Sequence, residues 1–389
     1  MPKAVVIGAT RTAVGTARRG TLTETSAEVL ASHVVQEVVA RSGLPGDRYD
    51  DVYFGDVLYG GGDIGRYAAD AIGLESVPGI SVNRHCASSL TTTGLAAATI
   101  MSGMESAIIA GGVQASSLGP ISSFRKPHTE ADYEQRMPPT FQHRDGVDDN
   151  VQFTVGWNLA QKFGISRERL DAWALRSHQR AVAAIDEGRF LEEITPITVV
   201  NKAGETVEFK VDEHPRRDTT MEKLAALKPL RPDIEGFSIT AGNAAGGNDA
   251  ASALALASDE LAASEGLEVL AEIVAWGSVG VDPRYTGTGA LAAADKVLKR
   301  AGLRIEDITL WEINEAFATV PVVACQEMGI DEELVNFSGS GCSIGHPVAA
   351  SGGRMLNTLI YELRRRGGGL GMATMCAGGG QGGAVLIRV

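Results

Sequence analysis

The chain says nearly the same thing twice, and that repetition limits what it can fold into. "KAVVIGATRT" reads as a buried strand, and "SAEVLASHVVQEVVARSGL" carries apolar residues at helical spacing before a second strand, "YDDVYFGDVL". Much later, "LEVLAEIVAWGSVG", "ALAAADKVLKRAGL" and "ITLWEINEAFA" spell a strand, a helix, and a strand running into a helix. The helix ends match, with Arg41-Ser42-Gly43-Leu44 beside Arg300-Ala301-Gly302-Leu303. "VPGISVNRHCASSLTTTGLAAATIMSGMESAIIAGG" parallels "ELVNFSGSGCSIGHPVAASGGRMLNTLIYELRRRGGGLGMATMCAGG". Each has a strand ending in Val-Asn, small residues, a helix, and a strand closing on Ala-Gly-Gly. Paired landmarks keep their order roughly 250–270 residues apart, which predicts a duplicated α/β domain rather than a short-period array.

Residues 119–245, between the halves, have a different texture. They hold the polar connection "SSFRKPHTEADYEQRMPPTFQHRDGVDDN", a charged helix "SRERLDAWALRSHQRAVAAIDEG" and a hairpin around "VVNKAGETVEF". So long an insertion usually serves as a lid, a binding surface or an oligomer contact.

With 389 residues, 44% of them hydrophobic, the chain has enough apolar content for more than one core. Its net charge of −13 means that a nonspecific grip on nucleic acid or anionic lipid needs a local basic patch. Two basic runs exist. "RRR" at 364–366 follows an apolar helix and suits the negative end of its dipole, and "HPRR" at 214–217 is the other. No stretch approaches the roughly 18 apolar residues of a membrane span, and the first ten residues turn polar too soon for a secretory signal. A cytoplasmic protein is expected, with no membrane or nucleic-acid partner. Cys86, Cys325, Cys342 and Cys376 lack C-x-x-C pairing, so reduced thiols and no metal site are expected.

Three of the chemically capable residues follow strands. Cys86 in "VNRHCASSL" precedes a helix, whose positive end favours a thiolate, although an isolated cysteine is also a small core residue. His346 in "GSGCSIGHPVAASGG" sits where the first repeat carries Cys86. A helix N-terminus keeps a histidine neutral and able to take a proton, and small neighbours let backbone and substrate approach closely. Cys376 in "GMATMCAGGGQGG" precedes glycines that lack the lysine and hydroxyl of a phosphate loop. It is either a strand-end core cysteine or a proton shuttle beside oxyanion-binding N–H groups. Asn314 and Glu315 in "EINEAFA" are a helix cap or, for the asparagine, a holder of active-site water.

Together these residues resemble the thiolase family, from "ATRTAVG" at the start to "CAGGGQGG" at the end. The matching blocks are "VNRHCASS", "TAGN" with "ND", "VGVDPRYTGTG", "NEAFA", "GHPVAASG" and "CAGGG", in family order. The resemblance implies two similar α/β domains, each with helices layered about a mixed sheet, and an inserted loop domain. It divides the chain into 1–118, to which about 246–267 return, an insertion over 119–245 for coenzyme A binding and oligomer contacts, and 268–389. It implies Cys86 as the acyl-accepting nucleophile, His346 as its base and Cys376 as the acid/base at the substrate α-carbon. Asn314 would hold water. The oxyanion sites would be the N–H groups of Cys86 and Gly378 on one side, and His346 with the Asn314 water on the other. Substrate contacts are implied at Arg216, Ala245, Phe317 and Gln152. The implied activity is a CoA-dependent acyl transfer that forms or cleaves a 3-ketoacyl-CoA such as acetoacetyl-CoA. Coenzyme A and acyl-CoA are its substrates, with no tightly bound cofactor, and the protein is a homodimer or homotetramer.

The match departs from the family at "VQFTVGWNLA", where His-Met-Gly or Met-Gly usually begins the pocket segment, and at Ala245, Gln114 and Cys342. "VGVDPRYTGTG" leans towards biosynthetic thiolases and "VNRHCASS" towards the degradative ones of fatty acid β-oxidation. Two other functions compete: an acyl-CoA-binding protein with little turnover, and a cysteine hydrolase using Cys86 and His346.

Overall fold

Alternation along the first strand puts Val5 and Ile7 on one face and Ala4 and Val6 on the other, and all four are buried. A strand covered on both faces belongs inside a sheet sandwiched by helices. The computed structural model describes residues 2–59, 62–141 and 148–389. Residues 142–147 of the polar connection lie outside the described residues.

The first half contains β1 (Ala4–Arg11), α1 (Ala27–Ser42), β2 (Asp51–Gly55), β3 (Gly79–Val82), α2 (Ser88–Ser102) and β4 (Ala107–Ala115). Ser26 caps α1 by accepting the Val29 N–H, and Gly43 ends it at φ 72°. The inserted region contains the charged helix α3 (Arg167–Asp186) and the hairpin Ile197–Val200 with Thr206–Phe209. The chain then returns as β5 (Asn248–Ser258), which lies antiparallel between β1 and β4.

The second half runs β6 (Ala271–Gly280), α4 (Gly289–Ala301), β7 (Leu310–Ile313), α5 (Thr319–Met328), α6 (Ser351–Arg365), β8 (Leu370–Ala377) and β9 (Gln381–Arg388). Gly302 closes α4 at φ 67°, as Gly43 closes α1.

The main sheet runs β7-β8-β9-β6-β1-β5-β4-β2-β3. Outward from the β1–β6 seam the two halves repeat one another, β1-β5-β4-β2-β3 against β6-β9-β8-β7, with the same pairing directions. The seam itself is thin, Val5 facing Glu272 and Val6 facing Ala271. The inner faces of both halves pack on α2 and α6, through Ala97, Ile100, Leu356 and Ile360. Helix α1 covers one outer face, and α4 with α5 covers the other.

The strand expected at Val335-Asn336 is reduced to a single bridge between Trp311 and Val335. Asn336 is in the left-handed region at φ 53°, and its side chain takes the place of a strand neighbour. It accepts the Ile313 N–H and donates to Ile313 O, both at 2.8 Å. The basic run at the end of α6 is neutralised by Glu362, Glu268 and Glu192. Among the described residues no helix is long and apolar enough to cross a membrane.

Candidate active site

Two turns, one from each half, converge on a cavity of about 400 Å³. The first is short. After β3, Asn83 Oδ1 accepts the His85 N–H at 2.9 Å and His85 adopts φ 45°, so the chain reverses and delivers Cys86 just ahead of α2. The second turn, from Asn336 to Ser351, is much longer and carries His346.

Small residues make that second turn possible, as the sequence suggested. A Cβ on Gly345 would meet the Asn248 side chain at 2.6 Å, and one on Gly341 would meet Glu315 O at 2.5 Å. Asn248 Oδ1 accepts the His346 N–H at 2.8 Å, tying a β5 residue to the histidine turn. Glu315 is buried and accepts from Trp173 Nε1 (2.8 Å), Ser177 Oγ (2.6 Å), Asn336 Nδ2 (2.8 Å) and Cys342 N–H (3.1 Å). One carboxylate, just after β7, thereby ties α3 to the turn that carries His346.

His346 Nδ1 lies 2.7 Å from Ser351 Oγ, and that hydroxyl donates to Pro347 O at 2.9 Å. A hydroxyl has one proton, so Ser351 accepts from Nδ1–H and leaves Nε2 as the basic nitrogen. Burial, and secondarily the positive charge of Arg354, holds the imidazole down to about 3, so it is neutral at physiological pH. Asn314 Nδ2 lies 3.4 Å from both ring nitrogens, and Asn314 Oδ1 has no protein partner.

Cys86 faces the same cavity. Its sulfur takes N–H groups from Gly378 and from its own backbone, which favour a thiolate, but burial wins and pushes the thiol up to about 11. The helix end does not make Cys86 a resting thiolate, contrary to expectation, because desolvation outweighs the donors. Cys376, the last residue but one of β8, lies in the cavity wall, and burial followed by the nearby Cys86 raises its thiol well above the usual range.

The structure therefore brings together Cys86, His346, Cys376, Gly378, Ala245 and Phe317 on one cavity. Arg216 lies outside it, in an adjoining cleft that shares Ala245, Gly246 and Gly247. Gln152 is not on the cavity wall. Val151 and Val155, four residues apart and so on one side of the helical turn that begins here, are, and Gln152 falls off that side. Ser351 and Asn248 position His346, yet sequence reasoning gave neither a role. The only sign was their place in the "GHPVAASG" and "ND" blocks. Among the described residues no cluster of His, Cys, Asp and Glu is placed to hold a metal.

Comparison with known proteins finds relatives along the whole chain. The family description "Thiolase, N-terminal domain" matches residues 4–260, and "Thiolase, C-terminal domain" matches 267–389. The acetyl-CoA acetyltransferase of Pseudomonas aeruginosa is 40% identical, covering 100% of this chain and 99% of its own. Among solved structures, the Bacillus anthracis acetyl-CoA acetyltransferase is 38% identical with a TM-score of 0.89. Human mitochondrial 3-ketoacyl-CoA thiolase is 32% identical with a TM-score of 0.90. Each covers 100% of this chain and 99% of its own. The chain belongs to the thiolase family.

Proposed function

We propose that this protein is a thiolase-type CoA acyltransferase in which Cys86 carries the acyl group. The observation that supports this most directly is the convergence of two thiols, a neutral imidazole and a backbone N–H pair on one cavity. A binding protein without turnover gains nothing from a second cysteine beside the first, and a hydrolase has no use for it.

The roles follow from the resting protonation states. Cys86 S–H gives its proton to His346 Nε2 as sulfur attacks the thioester carbonyl, so the ion pair forms only during attack. Carbonyl oxygen becomes an oxyanion held by the N–H groups of Cys86 and Gly378. The carbon–sulfur bond to coenzyme A breaks, and the leaving thiolate takes the proton from His346. In synthesis, His346 Nε2 takes the Cys376 S–H proton, the Cys376 thiolate removes an α-proton from a second acyl-CoA, and the resulting enolate displaces Cys86 from the acyl carbon, the departing Cys86 thiolate taking the proton back from His346. In thiolysis the steps reverse, and Cys376 protonates the enolate. A thiol raised by burial gives a strongly basic thiolate, which suits a carbon acid. Asn314 Oδ1 accepts from a water that joins His346 in holding the second thioester oxygen.

Coenzyme A enters as a substrate, with Arg216 towards its nucleotide and no tightly held cofactor. The protein is a homo-oligomer. Among the described residues strand β3 ends the sheet without an outer partner and exposes Ile80, and Leu118 with Ile121, Tyr133 and Met137 of the inserted region are exposed as well. A monomer by light scattering at working concentration would count against that assembly.

Intact-protein mass after brief exposure to acetyl-, longer acyl- and 3-ketoacyl-CoA tests the reading. An adduct mapped to Cys86 and released by coenzyme A is expected. Binding of coenzyme A with no adduct from any donor would overturn it.

A further inference from the structure

The turn between β8 and β9 carries the Gly378 N–H, and on one side its own half of the molecule holds it. Gln381 Nε2 donates to Gly378 O at 3.2 Å, Gly380 N–H donates to Thr286 Oγ1 at 3.1 Å, and Gly380 O accepts the Val281 N–H at 2.7 Å. Residues 378–380 are all glycine, so the turn has no side chains with which to fix its other side. Two residues from elsewhere in the chain cover that side. The His85 ring lies where a Gly378 side chain would begin, since a Cβ there would meet His85 Cγ at 3.2 Å and Nδ1 at 3.3 Å. The Thr140 methyl stands in the same way against Gly379, which is at φ 80°.

The two covering residues are joined. Thr140 Oγ1 lies 3.0 Å from His85 Nε2, within one hydrogen bond. His85 is fixed at its backbone as well, at φ 45°, with its N–H on Asn83 Oδ1 and its carbonyl accepting from Ser88 Oγ at 2.7 Å. A bulky residue in the left-handed region is strained, and such strain persists where the surroundings enforce it, often at functional sites. The mechanism above gives His85 no part, although its ring lines the cavity beside the nucleophile. Burial holds the imidazole below its ordinary value, so it is neutral at physiological pH and its part is not one of charge.

We propose that His85 and Thr140 form a strap across the glycine turn, which holds the Gly378 N–H at the oxyanion position. This rests on the acyl-transfer reading above. An N–H aimed at a developing oxyanion is most effective when it need not reorganise during attack. Glycine restrains its own backbone least, so a run of three takes its restraint from outside. Both are positioning residues that act through Gly378, and Thr140 gives the inserted region a part in the acylation step.

The test uses the full-length protein, His85→Asn, Thr140→Val and the double variant. Asparagine accepts the left-handed backbone and lacks the ring. Valine at the exposed position 140 keeps a methyl for Gly379 and lacks the hydroxyl. Two reactions of Cys86 are read: acylation by acetyl-CoA, which needs the oxyanion site, and alkylation by iodoacetamide, which does not. In His85→Asn the kcat of acylation should fall about 10-fold or more with KM for acetyl-CoA little changed, while alkylation moves less than about threefold. Thr140→Val should slow acylation less steeply, and the double variant should be no slower than His85→Asn, because both changes break one contact. Unchanged acylation, equal losses of acylation and alkylation, or additive losses in the double variant would overturn the strap. Should His85→Asn fail to fold, Thr140→Val decides alone: a lowered ratio of acylation to alkylation supports the strap, and an unchanged ratio overturns it. Wild-type protein that acetyl-CoA does not acylate would overturn the acyl-transfer reading and the strap with it.

Discussion

Ser351 Oγ stands 2.7 Å from His346 Nδ1 and hands its own proton to Pro347 O, which fixes Nε2 as the nitrogen free to act as a base. Ser351→Ala removes that constraint without touching substrate. Its kcat should drop about 10-fold, KM for acetyl-CoA should move less than about twofold, and Ser351→Thr should restore most of the rate. Steady-state kinetics on the three proteins checks this. A rise in KM at constant kcat would show that Ser351 acts on binding instead.

The resting state of Cys86 sets a pH dependence. With the thiol raised to about 11, its thiolate fraction grows tenfold per pH unit through the neutral range, while His346, lowered to about 3, stays neutral throughout. Alkylation of Cys86 by iodoacetamide in the absence of substrate should therefore accelerate about 100-fold from pH 7 to pH 9. A plateau near neutrality would mean that a thiolate–imidazolium pair already exists at rest.

Cys376→Ser should separate the two half-reactions. Acylation of Cys86 by acetyl-CoA should survive, because that step does not use Cys376. Carbon–carbon bond formation should fall by at least about 100-fold, the lower range for losing an acid/base group. Mass spectrometry reads the first step and product formation the second, and parallel loss of both would deny Cys376 a separate role.

Gly112 lies on β4 where a Cβ would meet Ala349 O at 2.2 Å, directly under the histidine turn. Gly112→Ala should cost about 1–3 kcal/mol of stability through overpacking, and it should slow acylation as well by displacing the turn. A shifted urea midpoint with normal acylation would show that the turn relaxes independently of His346.

Val151 marks the rim of the cavity and is half exposed. Val151→Phe should lower the rate with longer acyl-CoA donors at least about 10-fold relative to acetyl-CoA, since overfilling an apolar wall penalises the bulkier guest. Equal effects on all chain lengths would place the acyl chain elsewhere.

The parts legible in the sequence are those that local pattern encodes. The strand β1, the helices α1 and α4 with their closing glycines, and the duplicated order all follow from spacing and turn chemistry. Cys86 and His346 stood out because small residues surround turns beside helices. Gln152 did not meet the cavity because Val151 and Val155, one helical turn apart, face it instead, and which side of that turn is turned inwards depends on packing that "VQFTVGW" does not spell out. Asn248 and Ser351 acquire their roles only through partners, one of them far off in the chain, so periodicity has no access to them. The Val-Asn repeat predicted a strand in both halves, and Asn336 satisfied the neighbouring backbone with its side chain instead.

The late return of β5 has a consequence for how the chain is born. Until residues 248–258 leave the ribosome, β1 and β4 have no neighbour between them and each presents an open edge. The entire inserted region must be synthesised during that interval, and closing so long a loop is slow and leaves strands open to other chains. The nascent protein should therefore lean on chaperones for longest between completion of β4 and arrival of β5, and a ribosome pause within that window should raise aggregation more than one after it.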